Sequence, residues 1–144
     1  MIKVTINGAS GKMGTKVRNL IKNDSSLVEC FDDISCSDLV IDFSQPSSTK
    51  KILKKCVAAK KPIIIGTTGF TNDDLNEIRE AANLIPIVLA ANMSRGMIYL
   101  KKSLASFIHH NQDKLKCFIE ETHHLEKVDK PSGTAIELKK FIKE

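Results

Sequence analysis

The chain has 144 residues, of which 42% are hydrophobic and 27% are charged. At roughly 150 residues per domain, this length holds one ordinary domain, or one domain and part of another, but not two complete domains. The composition is typical of a globular chain and excludes intrinsic disorder and collagen-like repeats. Because no apolar run approaches the roughly 20 residues of a membrane span, we expect a soluble protein without a membrane partner.

The charge is +5, from 22 basic and 17 acidic side chains. A polyanion such as nucleic acid would suit this sign. However, Arg18, Arg79 and Arg95 are the only arginines, and the lysines are scattered. With Tyr99 as the one tyrosine and no tryptophan, the chain offers few side chains on which bases could stack. We therefore expect no nucleic acid and a local basic patch for a small anion; a lysine-rich nucleic-acid binder is the weakest of three alternatives.

The four cysteines, Cys30, Cys36, Cys56 and Cys117, form no CxxC motif. No signal sequence is expected, because Met1 leads directly into a strand-like segment. These two features predict a protein of the reducing cytoplasm.

Strand-like and helix-like segments alternate over the first 93 residues. This alternation predicts right-handed βαβ crossovers and an α/β fold with a doubly wound, Rossmann-type parallel sheet. Ligands of such sheets bind at the carboxyl ends of the strands. The predicted strands are 2–6, 27–31, 39–43, 62–65 and 85–89. One helix is predicted from the first glycine turn to residue 22, and a second after 44–48 to about residue 59. A third helix, capped by 72–74, is predicted to about residue 82.

The pattern changes after Ser94, where a longer helix is predicted over 96–110, a strand over 115–121 and a helix over 133–143. We therefore predict a dinucleotide-binding domain over 1–93. The remaining residues, 94–144, are predicted to form a separate α+β segment.

Gly8, Gly11 and Gly14 form a GxxGxxG pattern that follows a strand and opens a helix. In that context, backbone N–H groups and the helix dipole face a pyrophosphate, which favours nucleotide binding. The alternative is a tight turn whose glycines only permit close packing. Lys12, inside the turn, either pairs with a phosphate or is merely exposed.

Three further segments lie where a dinucleotide would need them. Asp32 and Asp33 are about 20 residues beyond the glycines, where an acidic residue binds the adenosine ribose, although either is equally explained as a turn residue. The segments 66–68 and 90–93 each follow a strand and are expected to line the nicotinamide crevice. Ordinary turn chemistry is the alternative for 66–68.

The stretch 121–134 is the most specific part of the chain. His123, His124 and Lys127 supply a proton donor near neutral pH and fixed positive charge. The segment 131–134 then places hydroxyls and free amides at a helix start, which suits a carboxylate. A solvated loop with a capped helix is the alternative. No metal is expected, because adjacent side chains rarely converge on one ion.

These motifs together resemble those of the 4-hydroxy-tetrahydrodipicolinate reductase (dihydrodipicolinate reductase) family of bacterial lysine biosynthesis. They occur in the family's order along almost the whole chain. The motifs are GASGKMG at 8–14, VIDFS at 40–44, IGTTGF at 65–70, AANMS at 90–94, HH at 123–124, KVD at 127–129 and PSGTA at 131–135.

The resemblance implies a reductase that takes hydride from NADH or NADPH and acts on a small dicarboxylate. It also implies that residues 94–144 are the start of an α+β substrate domain. It implies that His123 is the general acid/base and Lys127 the proton donor. It assigns the substrate carboxylates to His124, Lys127, Gly133 and Thr134, with Ser132 beside them. The implied cofactor contacts are Gly8, Ala9, Ser10, Gly11, Lys12, Met13, Gly66, Thr67, Thr68, Ala90, Ala91, Asn92 and Met93.

The chain departs from the family pattern in two places. The segment before Val40 is shorter than is typical, which bears on the ribose position. The sequence also stops soon after Thr134, whereas family members are expected to continue for about as long again, through most of the substrate domain's sheet and the contacts of a homo-oligomer, a tetramer. A truncated nucleotide-binding module without catalytic activity is therefore the main alternative function.

Overall fold

The computed structural model describes residues 1–31, 33–111, 115–123, 125 and 130–143. The chain divides into two compact units, Met1–Ala90 and Ala91–Glu144. Across the described ranges, no helix combines the length and the apolar character needed to cross a membrane.

The first unit is built on a parallel sheet. Among the described residues it has five strands in the order β2-β1-β3-β4-β5, and every neighbouring pair is parallel. This sheet confirms the predicted α/β fold class. The strands are β1 (Ile2–Asn7), β2 (Leu27–Glu29), β3 (Leu39–Asp42), β4 (Ile63–Ile65) and β5 (Ile87–Leu89).

The strand order reverses direction between β1 and β3. The chain first moves from β1 to β2 at one edge, and then returns past β1 to build β3, β4 and β5 on the other side. In doubly wound sheets, ligands bind outside the carboxyl ends of the strands at such a switch point. The turns that follow Asn7 and Asp42, which are paired in the register of β1 and β3, are therefore the structurally favoured ligand position.

Three helices connect the strands: α1 (Lys12–Lys22), α2 (Pro46–Ala59) and α3 (Asn72–Ala82). Val40 packs in one buried cluster with residues of α2 and α3, such as Leu53 and Ile78. Ile41, the next residue of β3, packs in the other cluster with Ile21 of α1. Because successive strand residues point to opposite faces, β3 is covered on both faces, as its continuous apolar run predicted.

The cap of α3 differs from the prediction. The sequence pattern assigned the cap to 72–74, but the N-cap is Thr71, whose hydroxyl accepts a hydrogen bond from the Asp74 N–H at 3.2 Å. The Asp74 carboxylate in turn accepts one from the Thr71 N–H at 2.9 Å, which completes a capping box. Lys50 lies 2.6 Å from this carboxylate, and together with the Thr71 bonds it lowers the pKa of Asp74 to about 2.

Two cysteines near the end of β2 are joined. Cys30 and Cys36 form a disulfide across a turn that carries Asp33, and their Cα atoms are 6.8 Å apart. Their spacing in the sequence did not indicate this pairing, and a disulfide differs from the reduced cysteines that the predicted reducing compartment implies. Of the other two cysteines, Cys56 is buried in the core and Cys117 is exposed.

The second unit contains two helices among its described residues, α4 (Arg95–Asn111) and α5 (Gly133–Lys143). Both were predicted. The predicted strand over 115–121 is wrong, because residues 115–123 have no strand hydrogen bonding. A strand requires a neighbour to pair with, and the described part of this unit contains no other strand. Alternation of apolar side chains in 115–121 was therefore not sufficient.

Candidate functional site

The glycine turn after β1 is held so closely against its surroundings that two of its positions have no room for a side chain. Gly8 has a φ of +82°, and a Cβ on it would lie 2.4 Å from the carbonyl oxygen of Phe43. A Cβ on Gly14 would lie 2.1 Å from the carbonyl oxygen of Gly8. The turn therefore lies between the start of α1 and the segment that follows β3, which is the close approach that dinucleotide-binding turns require.

The first turn of α1 presents backbone donors. Its N-cap is Gly11, and no side-chain cap is found there among the described residues. Helix N-termini without a side-chain acceptor leave N–H groups for water or an anion. Of the predicted contacts here, Ala9 is half-buried, whereas Ser10, Lys12 and Met13 are exposed.

A buried carboxylate lies at the carboxyl end of β3. Asp42 is fully buried, and its Oδ1 accepts hydrogen bonds from Asn7 Nδ2 at 2.7 Å and from Ser44 Oγ at 2.5 Å. Its Oδ2 accepts from Thr49 Oγ1 at 2.5 Å and from Thr67 Oγ1 at 3.0 Å. One side chain thus joins the ends of β1 and β3, the first turns of α2 and the turn after β4.

The predicted contacts after β4 lie in this network. The Thr67 hydroxyl is buried, donates to Asp42 and accepts the Ser44 N–H at 2.9 Å. Gly66 leaves space for the ring of Phe43, because a Cβ on Gly66 would lie 2.1 Å from a ring carbon. Thr67 therefore uses its hydroxyl inside the protein, and Gly66 is required by a neighbouring aromatic ring.

The ribose position is partly described. Asp32 lies outside the described residues, whereas Asp33 is exposed and its carboxylate accepts a hydrogen bond from Ser35 Oγ at 3.1 Å. At the end of β2, Glu29 accepts two bonds from the guanidinium of Arg18, at 2.8 and 3.0 Å. The Arg18 charge is therefore paired within the first unit.

A second carboxylate organises the predicted substrate segment in the second unit. Glu121 Oε1 accepts the Ser132 N–H at 2.8 Å, and its Oε2 accepts the Ser132 hydroxyl at 2.5 Å. His123 Nε2 lies 3.0 Å from the same Oε2. These bonds, those from Ser132 foremost, lower the pKa of Glu121 to about 2. Glu121 therefore joins the predicted acid/base residue to the start of α5.

This arrangement bears on the predicted carboxylate site. The two Ser132 donors that the sequence assigned beside a substrate carboxylate are already used by the chain's own carboxylate. The Ser132 oxygen also accepts the Ala135 N–H at 3.1 Å, so that Ser132 caps α5. Donors for an external carboxylate must then come from neighbouring positions.

Asn92 and Thr134, predicted as a cofactor contact and a substrate contact, are hydrogen-bonded to each other. Asn92 Nδ2 donates to Thr134 Oγ1 at 3.1 Å, and Asn92 Oδ1 accepts the Ser94 N–H at 2.8 Å. A hydroxyl that accepts one hydrogen bond still carries a proton to donate. The Asn92 amide thus orients Thr134 at the first turn of α5.

An open recess of about 500 Å³ is lined by Glu121, Thr122, His123, Lys130 and Pro131. Lys130 supplies positive charge in this recess. His124 and Lys127 lie outside the described residues. The recess therefore contains one of the two predicted catalytic side chains.

Sequence reasoning missed the two carboxylates that organise these sites. Asp42 was detectable as a charged residue at the end of an otherwise apolar strand, a position where burial requires hydrogen-bond partners. Glu121 carried no comparable signal, because acidic residues are common in loops. Its role depends on Ser132, eleven residues away.

Two family models match the chain. The model described as "Dihydrodipicolinate reductase, N-terminus" matches residues 24–93, and "Dihydrodipicolinate reductase, C-terminus" matches residues 96–144. Together they account for most of the chain.

Curated relatives are named 4-hydroxy-tetrahydrodipicolinate reductase. The chain is 34% identical to the protein of Clostridium tetani, over all of the chain and 64% of the relative. It is 37% identical to that of Alkaliphilus oremlandii, over 90% of the chain and 58% of the relative. It is 36% identical to that of Campylobacter jejuni, over 99% of the chain and 62% of the relative. The chain thus spans about 60% of the length of these relatives.

A solved structure has the same fold. The dipicolinate-bound dihydrodipicolinate reductase from Paenisporosarcina sp. TG-14 superimposes with a TM-score of 0.72 at 24% sequence identity. The match covers 99% of this chain and 65% of that chain.

Proposed function

The chain belongs to the dihydrodipicolinate reductase family, and on that basis we propose that it carries out NADH- or NADPH-dependent reduction of 4-hydroxy-tetrahydrodipicolinate to tetrahydrodipicolinate. The reaction belongs to lysine (diaminopimelate) biosynthesis, and we place it in the cytoplasm, in a homo-oligomer. The observation that carries the proposal is the closely packed glycine turn at the β1/β3 switch point, in which Gly8 and Gly14 have no room for a Cβ.

The residues at this turn fit a pyridine dinucleotide. Gly8 and Gly14 have no room for a Cβ, so the turn packs closely against the segment after β3 and the start of α1, as the glycines of dinucleotide-binding turns do. The segment 8–13 would hold the pyrophosphate at the start of α1, and Asp33 or Asp32 the ribose. When bound, the reduced nicotinamide supplies the hydride. The proposed nicotinamide contacts are Gly66, Thr67, Thr68 and Ala90 in the first unit, and Ala91, Asn92 and Met93 in the second.

The second unit supplies the proposed substrate residues. Because Glu121 occupies the donors of Ser132, we propose that a substrate carboxylate binds the backbone amides of Gly133 and Thr134 and the Thr134 hydroxyl. His124 and Lys127 are the further proposed contacts of the dicarboxylate, as the family resemblance implies. Ser132 contributes by capping α5, whose N-terminal dipole favours the anion.

His123 and Lys127 are the proposed proton donors. Conversion to tetrahydrodipicolinate replaces the 4-hydroxyl group of the substrate by hydrogen, so the hydroxyl group leaves as water while one hydride and one proton are taken up. An imidazole or an ammonium group held within reach provides the proton. Glu121, 3.0 Å from His123 Nε2, orients the imidazole for this step. A positioned general acid of this kind contributes roughly 10²- to 10⁴-fold to a rate.

The proposal is tested by following the absorbance of NADH and of NADPH with the purified chain, while the preceding enzyme of the pathway generates the substrate. We expect substrate-dependent oxidation that falls at least about 100-fold in His123→Ala and in Lys127→Ala. His109→Ala, at the exposed end of α4, is the matched control and should retain full turnover. Full turnover in His123→Ala would exclude its role as proton donor.

The competing function is a nucleotide-binding module without catalysis. It predicts nucleotide binding, measured by the change in dihydronicotinamide fluorescence, without turnover of either nucleotide. Absence of binding as well as turnover would contradict both functions.

A further inference from the structure

Asp42 belongs to the strand-end network at the switch point, yet neither the sequence motifs nor the proposed function gives it a role. Its side chain is fully buried, and each carboxylate oxygen accepts two hydrogen bonds. The four lone-pair positions of an aspartate are thereby filled. The four donors are all neutral groups, from Asn7, Ser44, Thr49 and Thr67.

Burying a carboxylate costs free energy that an apolar residue at the same position would not incur, even when all of its hydrogen bonds are made. Cys56 and Ile65, also fully buried in the first unit, are ordinary core residues by comparison. Departures of this kind from an apolar interior concentrate at functional sites. The position of Asp42 therefore calls for a reason beyond packing.

The partners of Asp42 lie where a dinucleotide would bind. Asn7 precedes the glycine turn, Ser44 follows β3, and Thr67 follows β4, so that three turns at the carboxyl edge are tied to one side chain. The backbone of Asp42 adds to this connection, because its carbonyl accepts the Gly66 N–H at 2.8 Å.

Two further contacts transmit the position of Asp42 to the predicted cofactor residues. Thr67 Oγ1 donates to Asp42 and accepts the Ser44 N–H, so its orientation depends on the carboxylate. Gly8 rests on the carbonyl of Phe43, the residue immediately after Asp42. Movement of Asp42 would therefore displace both the turn after β4 and the Phe43 carbonyl against which Gly8 packs.

We infer that Asp42 is a positioning residue for the nicotinamide nucleotide: its buried carboxylate fixes the three turns at the carboxyl ends of β1, β3 and β4 in the arrangement that binds the cofactor. The inference rests on the proposed function. It assigns Asp42 no contact with the cofactor or substrate.

The test measures the dissociation constants of NADH and NADPH, together with hydrogen exchange of the Ser44 amide. In Asp42→Ala we expect the dissociation constant to rise at least about tenfold and Ser44 exchange to accelerate at least about tenfold, because Thr67 loses its acceptor. Asp42→Asn keeps the shape and one acceptor oxygen, and the hydroxyls of Thr49 and Thr67 can rotate to accept from its amide. The dissociation constants of this conservative variant should rise less than about threefold.

Two controls separate positioning from loss of stability. Leu53→Ala removes a buried α2 side chain from the core and should lower the melting temperature without changing nucleotide affinity. If Asp42→Ala does not fold, Thr49→Val removes one donor to Asp42 from a residue with no predicted cofactor contact, and should still weaken nucleotide binding.

The outcomes distinguish this inference from the proposed function. If the unaltered chain binds neither nucleotide, the proposed function fails. If the unaltered chain and folded Asp42→Ala bind with the same affinity, or if Leu53→Ala weakens binding as much as Asp42→Ala does, the inference alone is overturned.

Discussion

The hydroxyl of Ser132 donates a 2.5 Å hydrogen bond to the carboxylate of Glu121. The same hydroxyl oxygen accepts the Ala135 N–H and thereby caps α5. A negative charge is favoured at this end of a helix, because the macrodipole presents partial positive charge there. Glu121 is consequently held at the N-terminus of α5, in contact with His123.

This contact predicts a pH-dependent contribution to stability. The pKa of Glu121 is lowered from 4.5 to about 2, so its contribution is complete above pH 4.5 and is lost as the pH falls toward 2. We expect Glu121→Gln to melt at a lower temperature than the unaltered chain at pH 7. The two melting temperatures should converge between pH 4.5 and 2, as followed by circular dichroism.

Glu120→Gln is the matched control, because it removes the same charge from the adjacent, exposed residue. It should leave the melting temperature nearly unchanged at both ends of this pH range. A constant difference between Glu121→Gln and the unaltered chain from pH 7 to 2 would contradict the electrostatic explanation.

The capping box of α3 predicts a second stability effect. Thr71→Ala removes the hydroxyl that accepts the Asp74 N–H, which should cost about 1 kcal/mol in the free energy of unfolding. Thr71→Ser retains a hydroxyl and should cost much less. Urea denaturation of the three proteins measures the difference, and equal stability of the serine and alanine variants would exclude the side-chain cap.

Gly66 and Phe43 predict a coupled pair of substitutions. Gly66→Ala places a Cβ 2.1 Å from a Phe43 ring carbon and should destabilise the chain by about 1–3 kcal/mol through overpacking. In a Phe43→Ala background the ring is absent, so the same substitution should cost clearly less. A double-mutant cycle by urea denaturation measures this coupling, and additive effects would contradict the contact.

The cysteines predict selective labelling. Burial foremost, and then the nearby Asp42 charge, raise the pKa of the Cys56 thiol to about 11, whereas Cys117 is exposed. Because the thiolate is the reactive form, a thiol reagent without reductant should modify Cys117 at once and Cys56 only on unfolding. Mass spectrometry of the labelled peptides identifies the sites. Rapid labelling of Cys56 in the folded chain would contradict its burial.

Local patterns were sufficient for most elements of the first unit. Apolar runs such as Val40–Ile41, followed by turn residues, predicted buried parallel strands, because a strand covered on both faces needs apolar side chains at every position. The helices were also predicted, because helical spacing of apolar residues and turn residues at the ends are local properties. The strand over 115–121 was predicted wrongly because a strand also needs a neighbouring strand to pair with, and strand pairing is not a local property of the sequence.

The sequence by itself determined the alternation of strands and helices, the glycine turn and the candidate residues from His123 to Thr134. Tertiary structure alone decided that Asp42 joins three strand ends, that Glu121 takes the donors of Ser132, and that Cys30 meets Cys36. Each of these contacts depends on how close the fold brings the two groups, which their spacing in the sequence does not show. Composition and spacing set which groups are present, whereas hydrogen bonding and burial depend on which groups the fold brings together.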